Sequence, residues 1–384
     1  MRISILTLAS TALAARPFIN EPDTGIDAQF TAVSNGTLPD LNRLVGLPDF
    51  DWAARQAMNT SSYTYYRNGA AGEWSYRNNL EVFERFRLRP RVMVDITKIE
   101  DSLPTTILGH NFSAPIFIAP CARAGYAHAD GELGLVKGAA AGNILYMPSI
   151  YSSKTLEDIA AAKAGNGSQV LFQQVYLTDN DTQTRALFER VEKSGSKAIV
   201  LTVDSAADGN RHRAQRYGVG SADSSYSLLT WDLYHRLSNM TKLPIIPKGI
   251  QTVDDAKLAV QNGVKAIYLS NHGGRQLDTT PSSLEVALEI YNEAPEIFQQ
   301  VEVYADGGVR YGADVLKLLA LGVRAVGLGR PFMYSNVYGA EGVAKAVQLL
   351  KHEIAIDAAN LGVADLKQIG SKYVDWRSLN GWFS

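Results

Sequence analysis

From about residue 115 onward, short apolar, β-branched runs alternate with longer stretches whose apolar positions recur every three or four residues. The short runs cover 115–120, 145–149, 170–176, 198–204, 243–248, 266–271, 301–306 and 325–330, and each predicts a buried strand. Between them, 132–141, 155–164, 182–194, 252–261, 284–293 and 313–320 carry the spacing of one-faced helices. Thr155-Leu156-Glu157-Asp158 and Thr252-Val253-Asp254-Asp255 are capping-type helix starts. Eight such units are what a (β/α)8 TIM barrel requires. A doubly wound sheet is the alternative, but it usually has fewer parallel strands. No Gly-x-Gly-x-x-Gly opens a helix after the first strand either. The barrel is assigned to 63–384, preceded by a helical N-terminal extension over 16–62.

The first residues follow a different pattern. Met1-Arg2 precedes an apolar run over 3–13, and Ala12-Leu13-Ala14 supplies a small-x-small cleavage pattern. That predicts a signal peptide over 1–15, the competing reading being a first helix of the mature fold. Asn35, Asn59, Asn111, Asn166, Asn180 and Asn239 each open an Asn-x-Ser/Thr triplet, so a secreted glycoprotein is expected. No later segment is long and apolar enough for a membrane helix.

Composition narrows the classes of function. Of 384 residues, 46% are hydrophobic and 20% charged, as in an ordinary globular chain with a substantial core. A net charge of -2 gives no electrostatic footprint for nucleic acid or an anionic membrane. The single cysteine, Cys121, excludes an intrachain disulfide and a thiolate-rich metal site, and no metal is expected. Following the apolar run Ile116-Phe117-Ile118-Ala119-Pro120, it reads as a buried thiol rather than a nucleophile.

Barrel active sites lie at the C-terminal ends of the strands. Here those ends carry Ser149 and Tyr151, Gln174 and Tyr176, Thr202 and Asp204, Lys248, His272 and Arg275, Asp306 to Arg310, and Gly329-Arg330. The densest cluster is Ser270-Asn271-His272-Gly273-Gly274-Arg275-Gln276, where two glycines separate a base from a cation. That pairing suits oxidation or proton abstraction beside a carboxylate. Read alone, the stretch could equally be a glycine-rich loop.

Asp306-Gly307-Gly308-Val309-Arg310 and Gly327-Leu328-Gly329-Arg330-Pro331 follow the seventh and eighth strands, where barrels commonly bind phosphate. Asp306 would be repelled by a phosphate and suits the hydroxyls of a sugar-like chain. Ser149, Gln174 and Thr202 suit an amide-rich ring, and Lys248 suits negative charge on a reduced flavin. Phosphate, polyol and polar ring together outline FMN.

With Tyr65-Tyr66-Arg67-Asn68-Gly69-Ala70, Leu88-Arg89-Pro90-Arg91, Leu201-Thr202-Val203-Asp204 and Pro247-Lys248-Gly249 added, the chain resembles the FMN-dependent α-hydroxy acid oxidase/dehydrogenase family. The similarity runs from about residue 63 to residue 331. It implies FMN as cofactor and an L-2-hydroxy acid as substrate. His272 is implied as the base, with Asp204 stabilising its imidazolium. Tyr65 and Arg275 are implied as the carboxylate clamp, Tyr176 as a contact to the substrate hydroxyl, and Arg211 as a second active-site arginine. Lys248 is placed near flavin N1, and Ser149, Gln174 and Thr202 on the ring. Pro120 and Ala122 lie beside the flavin, while Asp306, Gly308, Arg310, Gly329 and Arg330 match the ribityl-phosphate site. Family members are often homotetramers.

Departures from the family pattern bear on the substrate. Tyr151 stands where glycolate oxidase has tryptophan and lactate oxidase tyrosine, which tilts the expectation toward lactate-like acids. Arg123 stands where an uncharged side chain is usual. Pointed inward it would suit a dicarboxylate, whereas at the rim it would do little. The lid segment between Arg216 and Trp231 is much shorter than in lactate oxidase. Residues 15–62 are too few for a haem domain and lack a convincing histidine pair. Oxygen is therefore the expected acceptor, giving a 2-oxo acid and hydrogen peroxide. The rival readings are another FMN chemistry on a specialised metabolite and a non-catalytic barrel that binds a phosphate ligand.

Overall fold

The computed structural model describes residues 24–30, 36–177, 180–220 and 227–376. The expected signal peptide, Asn35 and part of the lid segment, 221–226, lie outside these residues. Eight strands form one parallel sheet: β1 (Ile116–Ile118), β2 (Leu145–Tyr146), β3 (Phe172–Val175), β4 (Ala198–Thr202), β5 (Ile245–Ile250), β6 (Ala266–Leu269), β7 (Glu302–Asp306) and β8 (Ala325–Leu328). Their spatial order, β2-β1-β8-β7-β6-β5-β4-β3, is closed by a parallel bridge between Tyr146 and Leu171. This is the predicted (β/α)8 barrel. Most strands are shorter than their apolar runs, whose remaining residues belong to the flanking loops; β5 instead extends past its run to Ile250.

The strands are buried on both faces, which is why they read as continuous apolar runs rather than alternating ones. Inside the barrel, Phe117 meets Tyr268 and Tyr304 edge-to-face at 5.4 and 6.1 Å. Gly327 makes this packing feasible, since a Cβ there would lie 2.6 Å from the Phe117 ring and 2.7 Å from the Tyr268 hydroxyl. At the opposite end a hairpin, Thr105–Ile107 with His110–Phe112, plugs the interior with Ile107 and Phe112.

All six predicted helices are present, including the capped starts at Thr155 and Thr252, whose hydroxyls accept the amides of Asp158 and Asp255. Helices the periodicity did not bring out include Leu47–Ala57, Thr60–Arg67, Trp74–Arg85, Trp231–Ser238 and the 22-residue Gly339–Asn360. The boundary drawn at residue 63 falls inside Thr60–Arg67. That helix carries Tyr65 and packs its buried face into the main core, so the extension and the barrel share one hydrophobic interior.

Candidate active site

The C-terminal strand ends surround an open-mouthed cavity. Every residue predicted for the site except Asp204 lines it: Tyr65, Pro120, Ala122, Ser149, Tyr151, Gln174, Tyr176, Thr202, Arg211, Lys248, His272, Arg275, Asp306, Gly308, Arg310, Gly329 and Arg330. Asp204 lies immediately behind His272, its side chain fully buried.

His272 occupies a left-handed backbone conformation, φ +59°, at the end of β6. Such a conformation is uncommon outside glycine and collects at functional sites. Its amide donates to the Ser270 hydroxyl at 3.0 Å, which fixes the turn. Asp204 Oδ1 lies 2.9 Å from His272 Nδ1. Burial opposes ionisation of the Asp204 carboxyl, but His272 and Lys248 outweigh it and hold the carboxyl below its usual range. Burial, together with the charges of Lys248 and Arg211, depresses the imidazole more than Asp204 raises it. The ring is therefore neutral at neutral pH, and ionised Asp204 requires the proton on Nδ1. Nε2 keeps its lone pair, 3.5 Å from the Tyr176 hydroxyl. Gly249, φ +116°, makes the pairing sterically possible. A Cβ there would sit 2.5 Å from the Cβ of Asp204.

Two arginines face this base. Arg211 is buried, with Nε donating to the Arg275 carbonyl at 2.9 Å and Nη2 to Gln276 Oε1. Burial and the neighbouring Arg275 push its guanidinium down to about 10. Arg275 donates from Nη2 to the Tyr65 carbonyl at 3.2 Å and holds its guanidinium 5.2 Å from the Tyr65 ring centre. Its buried Nε has no hydrogen-bond partner among the described residues, and neither arginine is in a salt bridge there. Two adjacent cations, Arg211 buried and Arg275 half-buried, with no carboxylate at ion-pair distance among the described residues form a site for a small anion.

Lys248 is buried within the C-terminal half of β5, donating to the Ser270 hydroxyl at 3.0 Å with Asp306 Oδ2 at 4.0 Å. Asp306 accepts the Tyr268 and Ser270 hydroxyls, both at 2.7 Å. Asp306, expected to meet a polyol chain, is thus also the anchor of Ser270 and Lys248. On the far wall, Gln174 donates to Thr202 Oγ1 at 2.9 Å and accepts the Ile150 amide at 3.2 Å, while Ser149 Oγ accepts the Tyr151 amide at 3.1 Å.

Backbone geometry decides whether FMN fits. Gly307 and Gly308 have φ of +98° and +85°, and a Cβ on Gly308 would collide with the Asn79 carbonyl. A Cβ on Gly329 would lie 2.9 Å from Cys121 Sγ. The protein itself fills the Cβ positions of these turns, which brings their bare backbone to the cavity wall beside Arg310, where a phosphate chain could approach it. Arg330 departs from the simplest expectation. It donates to the carbonyls of Tyr66, Asn68 and Gly273 at 2.7, 2.8 and 3.0 Å, so only two of its five N–H groups remain for a ligand. Cys121 lines the cavity as a thiol pushed up by burial, in keeping with an inert role.

Several residues that organise the site were not assigned roles from sequence. Ser270 links Lys248, Asp306 and His272, yet inside its motif it looked like one more loop residue. Glu73, also left-handed at φ +61°, accepts Arg213 through both oxygens at 2.7 and 2.6 Å and the Gly69 amide at 3.0 Å. It joins the segment after Tyr65 to the loop carrying Arg211. Asn79 and Asn271 exchange amide hydrogen bonds at 2.8 Å, tying Trp74–Arg85 to the His272 loop. Arg123 resolves to the rim. It stands outside the cavity lining, with its guanidinium 5.2 Å from the Tyr65 ring centre.

The family model for FMN-dependent dehydrogenases matches residues 54–227 and 221–376. The chain is 36% identical to the peroxisomal (S)-2-hydroxyacid oxidase GLO3 of Arabidopsis thaliana, over 87% of this chain and 97% of that protein. It is 36% identical to 2-hydroxyacid oxidase 2 of Mus musculus, over 88% and 99%. To the L-lactate dehydrogenase (cytochrome) of Wickerhamomyces anomalus it is 33% identical over 89% of this chain, spanning 63% of that relative's length. A flavocytochrome b2 double mutant with pyruvate bound superimposes with a TM-score of 0.85 at 33% identity, covering 94% of this chain and 92% of that one. With this cavity and these matches, the chain belongs to the FMN-dependent dehydrogenase family.

Proposed function

We propose that this enzyme oxidises a short L-2-hydroxy acid to the 2-oxo acid. The observation that carries the reading is a neutral, Asp204-backed His272 facing two arginines that lack a carboxylate. Arg275, Arg211 and the Tyr65 hydroxyl would hold the substrate carboxylate. The substrate's 2-hydroxyl would then lie between Tyr176 and His272 Nε2. His272 takes up a proton there, and buried Asp204 stabilises the imidazolium that forms. FMN, held by Lys248, Gln174, Thr202 and Ser149 on the ring side and by Gly308, Gly329 and Arg310 on the phosphate side, supplies the two-electron acceptor. With oxygen as final oxidant the products are the 2-oxo acid and hydrogen peroxide.

The experiment is anaerobic bleaching of the bound flavin across L-2-hydroxy acids, followed by readmission of air. Bleaching by short L-acids, with peroxide on reoxidation, supports the reading. A yellow protein that no 2-hydroxy acid bleaches contradicts it.

Secretion and N-glycosylation belong to the same proposal. All five sequon asparagines among the described residues, Asn59, Asn111, Asn166, Asn180 and Asn239, are exposed. Asn59 and Asn180 cap helices through Oδ1, which leaves their Nδ2 atoms outward. A mass shift on glycosidase treatment of protein secreted from a eukaryotic host tests this. A homotetramer is the expected assembly, read directly by light scattering.

A further inference from the structure

Arg123 is a costly residue to leave without a task. It sits at φ +59° in the loop after β1, a left-handed conformation that is unfavourable for a non-glycine residue. Its amide donates to the Tyr151 carbonyl at 3.2 Å, and its own carbonyl accepts the Tyr66 hydroxyl at 2.7 Å. These bonds fix its backbone between the Tyr151 loop and the Tyr65 helix. Its guanidinium lies 5.2 Å from the Tyr65 ring centre and 5.8 Å from that of Tyr126. One bond engages it, from Nη1 to the Tyr126 hydroxyl at 3.0 Å. Among the described residues no carboxylate lies within ion-pair distance of it.

We propose that Arg123 binds a second carboxylate of the substrate, so that the preferred acid is a short 2-hydroxy dicarboxylate. This rests on the oxidation proposed above and names its substrate class. Arg123 and Arg275 both stand 5.2 Å from the centre of the same Tyr65 ring, so their guanidinium carbons are within about 10 Å of each other. An extended four-carbon diacid has carboxyl carbons roughly 4 Å apart by ordinary bond lengths. With a charge-assisted contact of about 2.8 Å at each end it spans up to roughly 10 Å, enough to reach both cations when it passes beside the Tyr65 ring. Direction follows from the cavity walls. With one carboxylate on Arg275 and Tyr65 and the hydroxyl at His272 and Tyr176, the substituent would be directed toward the part of the lining formed by Ala122 and Tyr151. Arg123 follows Ala122 in sequence and is hydrogen-bonded to the backbone of Tyr151. Arg123 stands at the rim, outside the cavity lining, where it was expected to do little; a guanidinium without a carboxylate there suits a group that protrudes from the pocket rather than one buried in it.

The test compares L-malate with L-lactate in anaerobic reduction of the holoenzyme, using wild type, Arg123→Met and Arg123→Lys. Malonate and acetate titrations, read from the flavin absorbance, give binding without turnover. A hydrogen bond to a charged partner corresponds to roughly 10- to 100-fold in affinity. Wild type should therefore reduce with malate at least about tenfold more efficiently than with lactate, and bind malonate over acetate by a similar factor. Arg123→Met should lower efficiency with malate at least about tenfold more than with lactate, and Arg123→Lys should recover part of the difference. Reduction by lactate without any preference for malate overturns this inference alone. So does an equal loss for both acids in the two variants. Failure of both acids to bleach wild type overturns the underlying oxidation together with it.

Discussion

Asp204 Oδ1 and His272 Nδ1 are 2.9 Å apart although 68 positions separate them in the chain. The contact sets the tautomer of His272 and leaves Nε2 facing the cavity as a base. Because burial lowers the imidazole below its ordinary value of 6.5, the neutral form should prevail down to mildly acidic pH. The kcat/KM should rise with pH, pass an inflection below 6.5 and then hold a plateau. Asp204→Asn removes the charge that favours the imidazolium and should cut kcat/KM by about 100-fold or more. A pH–rate profile of both proteins checks this.

Gly249 is the steric condition for that pair. A Cβ there would stand 2.5 Å from the Asp204 Cβ, on a backbone at φ +116°. Gly249→Ala should displace Asp204, retain FMN absorbance and lose most of kcat. A crystal structure with Asp204 undisturbed and full activity would refute the steric argument.

Glu73 latches the Tyr65 segment to the Arg211 loop through Arg213. Its carboxyl is held down to about 2: burial works to raise it, but the hydrogen bonds from Arg213 and the Gly69 amide, with the charges of Arg67 and Arg213, prevail. A depressed carboxyl contributes stability that is present above its unfolded value near 4.5 and lost as pH falls toward 2. Glu73→Gln should cost about 2–3 kcal/mol at neutral pH and raise KM more than it lowers kcat. Denaturant unfolding and steady-state kinetics measure the two effects.

Glu353 shows the opposite sign. Burial, reinforced by Asp357, Asp314 and Asp49, pushes its carboxyl up to about 7, although the Gly312 amide donates to it at 2.9 Å. The folded state holds the proton more tightly than the unfolded chain does. Stability should therefore fall as pH rises from about 4.5 to about 7. Glu353→Gln should flatten that fall, seen as a Tm that declines less than wild type across the interval.

Much of the site was legible because barrel geometry turns position in the sequence into position in space. A polar residue at the end of an apolar run must lie at the mouth, so His272, Lys248, Gln174 and Asp306 could be placed without coordinates. Pairings across the mouth were less visible. Glu73 and Arg213 are 140 positions apart, and nothing in either neighbourhood marks the partner. The direction of Arg123 depends on one left-handed residue after β1, which its apolar context did not signal. The Thr60–Arg67 helix was missed as an element because its buried face is mostly polar and aromatic, with Ser62, Thr64, Tyr65 and Tyr66 inward. That pattern arises because the helix lines a site rather than a plain core.

The central claim is that His272 is the base, and it is tested by anaerobic reduction of Arg275-intact Gln and Ala variants at position 272. His272→Gln and His272→Ala should bind FMN with a wild-type spectrum and be reduced by L-2-hydroxy acids at least about 1000-fold more slowly. Reduction of either variant at the wild-type rate would contradict the account.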